Sequence, residues 1–229
     1  MFLESRGMEI LSLSPEAFVD EILVRELGAR YVTAGFNYRF GKNAEGDAKL
    51  LCELCRERGI ECEIMERVAF EGEPLSSTRL RAFLKEGDVV RIRRASFAPY
   101  TIEGTVEEGK KLGRTLGFPT LNIEIPKELL LPRRGVYISR TRVLGKEYES
   151  ITNIGQNPTV EDATPRAESH LLDFSGEVYG ENAEIALLEF IRPEQKFPSV
   201  AALIDQIRQD KEKARQFFER KDHYAAYTY

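Results

Sequence analysis

Residues 135–145 read GVYISRTRVLG, a short run that begins and ends with glycine and holds several β-branched and aromatic side chains. Such a run predicts a β-strand closed by a turn. Similar candidates, separated by Gly, Pro, Asn and Asp, occur across the second half of the chain: YTIEGTVEEG (100–109), ESITNIG (149–155), AESHLLDF (167–174) and AEIALLEFIR (183–192). A series of short strands is typical of an antiparallel barrel or sandwich.

The end of the chain returns to a helical pattern. Ser199 is a suitable N-cap, and one apolar face then recurs at helical spacing. Its members are Leu203, Ile204, Ile207, Ala214, Phe217 and Phe218. We therefore expect a C-terminal helix after the last strand.

The first half alternates helix and strand patterns up to about residue 87. Ser14 and Pro15 predict the start of a helix over SPEAFVDEILVREL (14–27), and Gly59 and Gly87 predict helix ends. The remaining segments are ARYVTAGF (29–36), AKLLCELCRERG (48–59), IECEIMERVAF (60–70) and SSTRLRAFLKEG (76–87). This alternation indicates a parallel α/β sheet, with a domain boundary at residues 88–98.

Composition limits the classes of partner. A chain of 229 residues with 42% hydrophobic and 31% charged residues is typical of a soluble globular protein. The net charge of −5 argues against a nucleic-acid partner. No apolar run reaches membrane-spanning length, and the opening MFLESRGMEI does not resemble a signal peptide. We expect a cytoplasmic protein without a membrane partner.

The chain has three cysteines, Cys52, Cys55 and Cys62. An odd, small number argues against a disulfide framework. The pair Cys52-x-x-Cys55 has the spacing of a redox or zinc motif, but no second pair exists and the residues lie in a helical pattern. We expect ordinary thiols.

The run KKLGRTLGFPTLN (110–122) combines flexible backbone, positive charge and neutral oxygens. Gly113 and Gly117 permit a loop whose N–H groups surround an anion, and Arg114 can donate twice to a phosphate. In an extended chain, Thr120 and Asn122 share one face, where their oxygens suit Mg²⁺ bound to a nucleotide. The alternatives are a solvated hairpin loop and side chains that satisfy local backbone groups.

A second candidate site lies in AESHLLDF (167–174). Alternation places Glu168, His170, Leu172 and Phe174 on one strand face, so Glu168 is a candidate general base toward a hydroxyl. His170 competes for that role. The alternative for each residue is a strand position with a structural partner only. A metal, a phosphate cradle and a base are the parts that phosphoryl transfer requires.

The second half resembles riboflavin kinase, as found in bacterial bifunctional riboflavin kinase/FAD synthetases. The resemblance covers essentially all of residues 98–215. Its blocks occur in family order: GRTLGFPTLN (113–122), LLPRRGVY (130–137), TNIGQNPT (152–159), ESHLLDFSGEVYG (168–180) and RPEQKFPSVAALIDQIRQD (192–210). The resemblance implies a Greek-key antiparallel β-barrel with a C-terminal helix over residues 98–229. It also implies transfer of the ATP γ-phosphate to riboflavin, giving FMN and ADP.

The resemblance also implies roles for residues. Thr120 and Asn122 would contact Mg²⁺ and the nucleotide phosphates, and Glu168 would be the catalytic carboxylate. Arg192 and Phe197 lie in a segment that resembles a loop near the flavin. The ATP-binding set would be Gly113, Arg114, Gly117, Pro119, Thr120 and Asn122. The chain departs from the family at Leu121, where alanine is usual.

The first half, residues 1–90, resembles the Rossmann-like FMN adenylyltransferase domain of the same enzymes, through TAGFNYRFGKNAEGD (33–47) and LSSTRLR (75–81). The family's histidine-containing phosphate loop has no counterpart, since the chain has only His170 and His223. We expect a partial α/β domain, with FMN adenylylation absent or impaired. An exposed sheet edge in such a domain favours self-association.

Three other functions are compatible with parts of the sequence. A partner chain that supplies the missing half would restore FAD synthesis. A barrel with the same fold but no turnover would be a flavin or nucleotide sensor. A nucleic-acid-binding barrel is the third, and the acidic charge balance argues against it.

Overall fold

A computed structural model of the protein describes residues 10–108, 118–156 and 164–220. The chain divides into two compact units, Met1–Leu75 and Ser76–Tyr229. Within the described residues, no helix has both the length and the apolar character needed to cross a membrane.

The first unit begins with the helix that Ser14 predicts. The Ser14 side chain accepts a hydrogen bond from the Ala17 N–H, and Pro15 occupies the first turn, as expected for an N-cap followed by proline. Helix α1 (Pro15–Ala17) then continues as a π-helix (Phe18–Glu26). The helix predicted for residues 14–27 is therefore present, and Val19, Ile22 and Leu23 form its buried face.

A small parallel sheet forms the centre of the first unit. Strands β1 (Tyr31–Gly35) and β4 (Glu61–Met65) pair in parallel, and helix α2 (Ala48–Glu57) connects them and packs on the sheet. The predicted α/β pattern is confirmed. Short strands β2 (Arg39–Phe40), β3 (Gly46–Asp47), β5 (Ala69–Phe70) and β6 (Glu73–Pro74) form two additional hairpins.

The cysteines do not follow the expectation of ordinary thiols. A disulfide joins Cys52 of α2 to Cys62 of β4, because the helix packs on the strand and brings these side chains together. Cys55 is buried outside the disulfide, and its burial raises the pKa of the thiol. No cluster of three potential metal ligands of the His, Cys, Asp or Glu type occurs among the described residues.

Several apolar side chains of the first unit face solvent. Tyr31, Ile64, Met65 and Val68 are each more than one third exposed, and they lie in or beside the two-stranded sheet. Exposed apolar surface next to strand edges promotes association. Self-association through this surface stays a prediction.

Two helices open the second unit. Helix α3 (Ser77–Glu86) is capped by Ser76 and ends at Gly87, whose left-handed backbone has a φ of 82°. Helix α4 (Val89–Ser96) follows, and its Val89 is fully buried in the core of the barrel. These helices therefore belong to the compact unit that contains the barrel, while the domain boundary near residue 90 stays a prediction.

A closed antiparallel barrel follows, and its six strands are β7 (Tyr100–Glu107), β8 (Leu121–Glu124), β9 (Gly135–Val143), β10 (Lys146–Gln156), β11 (Pro165–Leu171) and β12 (Asn182–Arg192). Their order around the barrel is β10-β11-β8-β7-β12-β9. Strands β9, β10 and β11 are consecutive neighbours, and β12 returns to lie beside β9, which is a Greek key. The predicted barrel is confirmed.

The barrel interior combines an apolar core with a buried hydroxyl network. Five hydroxyl side chains have no exposed surface and bond to one another: Ser139, Thr141, Ser150, Thr152 and Ser169. Mutual bonding satisfies donors and acceptors that burial would otherwise leave without partners.

Substituting Thr152 with valine should destabilise the barrel. Thr152 Oγ1 lies 2.7 Å from Ser139 Oγ and 2.9 Å from Ser169 Oγ, so its loss removes a partner from two buried hydroxyls. We expect the free energy of unfolding to fall by about 1–3 kcal/mol, measured by urea denaturation. The matched control is Thr105→Val on exposed Thr105, with an expected change within about 0.5 kcal/mol. Equal effects would contradict a contribution from the network.

The C-terminal helix α5 (Val200–Glu219) packs on the outside of the barrel. Ser199 caps it by accepting a hydrogen bond from the Ala202 N–H, as predicted. Its buried Ala214 contacts an apolar cluster with Ile138, Ile151 and Leu172. The helix therefore forms one wall beside the outer face of β9, β10 and β11.

Candidate active site

A row of polar side chains crosses the outer face of four neighbouring strands. Strand register pairs Glu107 of β7 with Asn122 of β8, Asn122 with Glu168 of β11, and Glu168 with Asn153 of β10. Directly opposed residues in antiparallel strands share a face, with Cβ atoms about 5 Å apart. We call Glu107, Asn122, Glu168 and Asn153 the polar row.

The Pro-Thr-Leu-Asn segment supplies two oxygens beside this row. Asn122 is only 7% exposed, and its amide nitrogen donates to the Thr120 carbonyl at 3.5 Å. Thr120 precedes β8 and is partly exposed. Leu121, the residue that departs from the family, is buried in the barrel core and also borders the cleft on this side of the barrel.

A cleft of about 260 Å³ lies beside the loop that follows β11, and we call it the loop-side cleft. Thr120 and Asn122 line one wall, and Phe174 and the loop after it line the other. The remaining lining residues are Pro119, Leu121, Leu171, Ser175, Gly176, Glu177, Val178 and Tyr179. The cleft thus combines neutral oxygens with apolar walls.

A second cleft of about 340 Å³ lies between the barrel and α5, and we call it the helix-side cleft. Glu168 and Asn153 of the polar row line it together with Thr120, which also lines the loop-side cleft. Its other lining residues are Phe118, Val136, Ile151, His170, Arg192, Glu194, Gln195, Phe197, Leu203, Ile207 and Asp210. Thr120 therefore stands where the two clefts adjoin.

His170 has a structural partner beside this junction. Its Nδ1 lies 2.8 Å from the Pro119 carbonyl oxygen, and burial lowers the pKa of the imidazole despite that hydrogen bond. Glu168, by contrast, is exposed toward the helix-side cleft. The carboxylate is therefore the better placed of the two candidates to act as a base.

The predicted common face of the AESHLLDF segment is only partly correct. Glu168 and His170 both line the helix-side cleft, and Leu172 packs near α5. Phe174 instead packs against Tyr148 and lines the loop-side cleft. The alternation ends at Asp173, whose φ of 55° turns the chain after β11.

Arg192 and Phe197 both line the helix-side cleft. The carboxylate that pairs with Arg192 was not predicted from the sequence. The Arg192 guanidinium lies 5.7 Å from the centre of the Phe197 ring and pairs with Asp210 of α5, with contacts of 2.9 Å from Nε and 2.8 Å from a terminal nitrogen. Asp210 is 1% exposed and also accepts from Gln206. A signal existed, because Asp210 lies on the apolar stripe of the helix, where a buried carboxylate needs a partner.

The donors at the junction fit a hard cation that shares its coordination sphere with a substrate. Thr120 and Asn122 provide a hydroxyl and an amide oxygen on one wall, and Mg²⁺ typically combines few protein ligands with waters and phosphate oxygens. The other predicted nucleotide-binding residues, Gly113, Arg114 and Gly117, lie outside the described residues.

Two protein-family models match the chain. The model described as riboflavin kinase matches residues 96–218, and the model described as FAD synthetase matches residues 7–79. The first match contains the polar row and both clefts.

Curated relatives carry a name that combines both activities. The bifunctional riboflavin kinase/FMN adenylyltransferase of Listeria monocytogenes is 40% identical over 219 residues, which are 95% of this chain and 69% of the relative. The protein of the same name from Bacillus subtilis is 34% identical over 94% of this chain and 72% of its own length.

A solved structure described as a macrolide-efflux protein from Streptococcus pneumoniae shares the fold. It has a TM-score of 0.82 and 30% identity, and the match covers 91% of this chain and 67% of that chain.

Proposed function

The chain belongs to the family of bifunctional riboflavin kinase/FMN adenylyltransferases, and from this premise we propose that it transfers the γ-phosphate of ATP to the 5′-hydroxyl of riboflavin. Residues 96–218 form its riboflavin kinase domain. The products are FMN and ADP.

The observation that carries this proposal is the meeting of two clefts at Thr120. A kinase must bring two substrates together, one of them highly charged, with a base near the acceptor hydroxyl. Glu168 faces the helix-side cleft, and its cross-strand neighbour Asn122 faces the loop-side cleft. We assign the loop-side cleft to the nucleotide and the helix-side cleft to the flavin.

Glu168 acts as the general base in this proposal. Its carboxylate accepts the proton of the riboflavin 5′-hydroxyl while the hydroxyl oxygen bonds to the γ-phosphorus of ATP. The bond from that phosphorus to the bridging oxygen breaks, and the electron pair leaves with ADP. Thr120 and Asn122 bind the nucleotide phosphates in this proposal. Asn122 lies on β8, the strand that pairs with the strand carrying Glu168.

Thr120 and Asn122 also hold Mg²⁺ in this proposal. When bound there, Mg²⁺ would supply positive charge that offsets the negative charge on the transferred phosphoryl group and on ADP. The hydroxyl of Thr120 and the amide oxygen of Asn122 would be the donors that the protein offers to the cation, beside waters and phosphate oxygens of the nucleotide.

The helix-side cleft has the composition that a flavin requires. Phe118, Phe197 and the aliphatic side chains of β9, β10 and α5 give apolar surface for a flat ring system. Arg192 and Asn153 add hydrogen-bond donors near Glu168, which suit the ribityl hydroxyls and the carbonyl oxygens of the flavin. We propose Arg192 and Phe197 as riboflavin-binding residues.

We also propose that this polypeptide alone makes little or no FAD. The family's adenylyl transfer depends on a pair of histidines in a phosphate-binding loop, and the sequence has two histidines, His170 and His223. His170 belongs to the barrel, and neither histidine falls within residues 7–79, the segment that matches FAD synthetase. Without positioned charges on the transferred group, the rate of adenylyl transfer falls by orders of magnitude.

Chromatography of the flavin products tests both proposals. Purified protein incubated with riboflavin, ATP and Mg²⁺ should give FMN and no FAD, and removal of the divalent cation with EDTA should abolish FMN formation. A parallel reaction that starts from FMN and ATP should leave FMN unchanged. The absence of FMN would refute the kinase proposal, and formation of FAD would refute the proposal for the first half.

A further inference from the structure

We propose that His170 is a positioning residue whose Nδ1–H holds the Pro119 carbonyl and thereby fixes Thr120 for binding of the nucleotide and its metal. The inference rests on the proposed kinase function. His170, which competed with Glu168 as a candidate base, thus receives a role other than acid–base catalysis.

The need for such a tie follows from the strand register. Backbone pairing between β8 and β11 ends at the pair Leu121 and Ser169. Pro119 and Thr120 therefore lie beyond the ladder, although Thr120 must keep its place at the junction of the clefts. The next residue of β11 is His170, and its side chain bonds to Pro119 at 2.8 Å, which extends the connection between the two segments by one step.

The chemistry of the bond identifies the tautomer. A carbonyl oxygen only accepts, so the proton must reside on Nδ1. Burial lowers the pKa of His170, which favours the neutral ring with a lone pair on Nε2. Nε2 is buried and has no hydrogen-bond partner within residues 10–108, 118–156 and 164–220. Among the described residues, the ring therefore makes its hydrogen bond through Nδ1.

The surroundings of the ring limit its movement. Phe118 packs with its ring at 79° to the imidazole, with 5.7 Å between ring centres, and Lys211 of α5 lies above the Phe118 ring. His170 is 7% exposed. The His170 ring is thus fixed by packing against Phe118 and by its hydrogen bond to Pro119. Because His170 belongs to β11, this bond fixes the position of Pro119, and of Thr120 next to it, relative to that strand.

If His170 positions Thr120, its substitution should weaken binding of the nucleotide more than binding of riboflavin. Loss of the Nδ1 bond should let Thr120 move and should weaken nucleotide binding. His170 also lines the helix-side cleft, but the residues proposed to bind riboflavin there, Arg192 and Phe197, do not depend on the Nδ1 bond, and Glu168 is held by the backbone pairing of strand β11. The apparent KM for MgATP should therefore rise more than the KM for riboflavin.

Three variants distinguish the two ends of the imidazole. In His170→Asn the amide nitrogen can take the place of Nδ1, whereas in His170→Gln the amide lies near the position of Nε2, and His170→Ala has neither. We measure MgADP binding by calorimetry, riboflavin binding by fluorescence quenching, and thermal unfolding for each. We expect Ala and Gln to weaken MgADP binding about five- to tenfold, with Asn restoring most of the loss and riboflavin binding changing less than about threefold.

The outcomes separate this inference from the kinase proposal. If the original protein binds neither MgADP nor riboflavin, the kinase proposal fails. If it binds both, but Asn and Gln weaken MgADP equally or Gln is the better replacement, the positioning role of Nδ1 is wrong. Should Ala not fold, the comparison of Asn with Gln decides the question, because both keep a polar side chain of similar size.

Discussion

Replacing Glu168 with glutamine is expected to lower kcat for FMN formation by about 10²–10⁴-fold, because the amide cannot accept the proton of the riboflavin hydroxyl. The KM for riboflavin should change little, since glutamine keeps the size and hydrogen-bonding reach of the side chain. Steady-state kinetics with riboflavin and ATP measure both constants.

The matched control is Glu103→Gln. Glu103 is an exposed carboxylate on strand β7 of the same barrel, away from the polar row, and its substitution should leave kcat within about twofold. A Glu168→Gln protein with near-original kcat would remove Glu168 from the chemical step. The assignment of the base would then pass to another group in the helix-side cleft.

Replacing Asp210 with alanine should destabilise the second unit by about 3–5 kcal/mol. The substitution removes the carboxylate that pairs with the Arg192 guanidinium. The loss is costly because both side chains are mostly buried, with 15% of Arg192 and 1% of Asp210 exposed. The riboflavin KM should also rise, because Arg192 then loses the contact that directs it into the helix-side cleft. Urea denaturation and steady-state kinetics give the two results.

Two comparisons make this prediction specific. Asp205→Ala, on the same helix, breaks an ion pair with Arg208 in which both side chains are more than 60% exposed, and its effect should be below about 1 kcal/mol. The double variant Arg192→Met with Asp210→Leu should recover most of the stability while the riboflavin KM stays high. Recovery of both properties would mean that Arg192 does not bind the flavin.

Local signals in the sequence predicted much of the fold. Ser14 and Ser199, both predicted as N-caps, each accept a hydrogen bond from a nearby N–H, and Gly87 ends a helix in the left-handed conformation. These features depend on neighbouring residues, so the sequence contains them directly. Five of the six barrel strands were predicted for the same reason, whereas the short β8 was not among the candidates, and sequence alone left the barrel and the sandwich both possible.

Features that depend on distant contacts were not predicted. The polar row exists because the strand register places Glu107, Asn122, Glu168 and Asn153 on neighbouring strands as cross-strand pairs. The pairing register cannot be predicted from the sequence of each strand alone. The disulfide between Cys52 and Cys62 depends on how α2 packs against β4.

The site was predicted in its parts but not in its arrangement. Thr120, Asn122 and Glu168 follow from motif chemistry and family resemblance. The buried partner of Arg192 and the tie from His170 to Pro119 require the three-dimensional contacts. The departure at Leu121 has a structural explanation, since its side chain packs in the barrel core.

The most direct test of the central claim follows labelled phosphate from ATP into the flavin. With ATP labelled at the γ-phosphorus, riboflavin and Mg²⁺, we expect labelled FMN as the product. With ATP labelled at the α-phosphorus, we expect no label in any flavin, because label from that position enters only by adenylyl transfer. Unlabelled flavin in the first reaction, or labelled FAD in the second, would contradict the account.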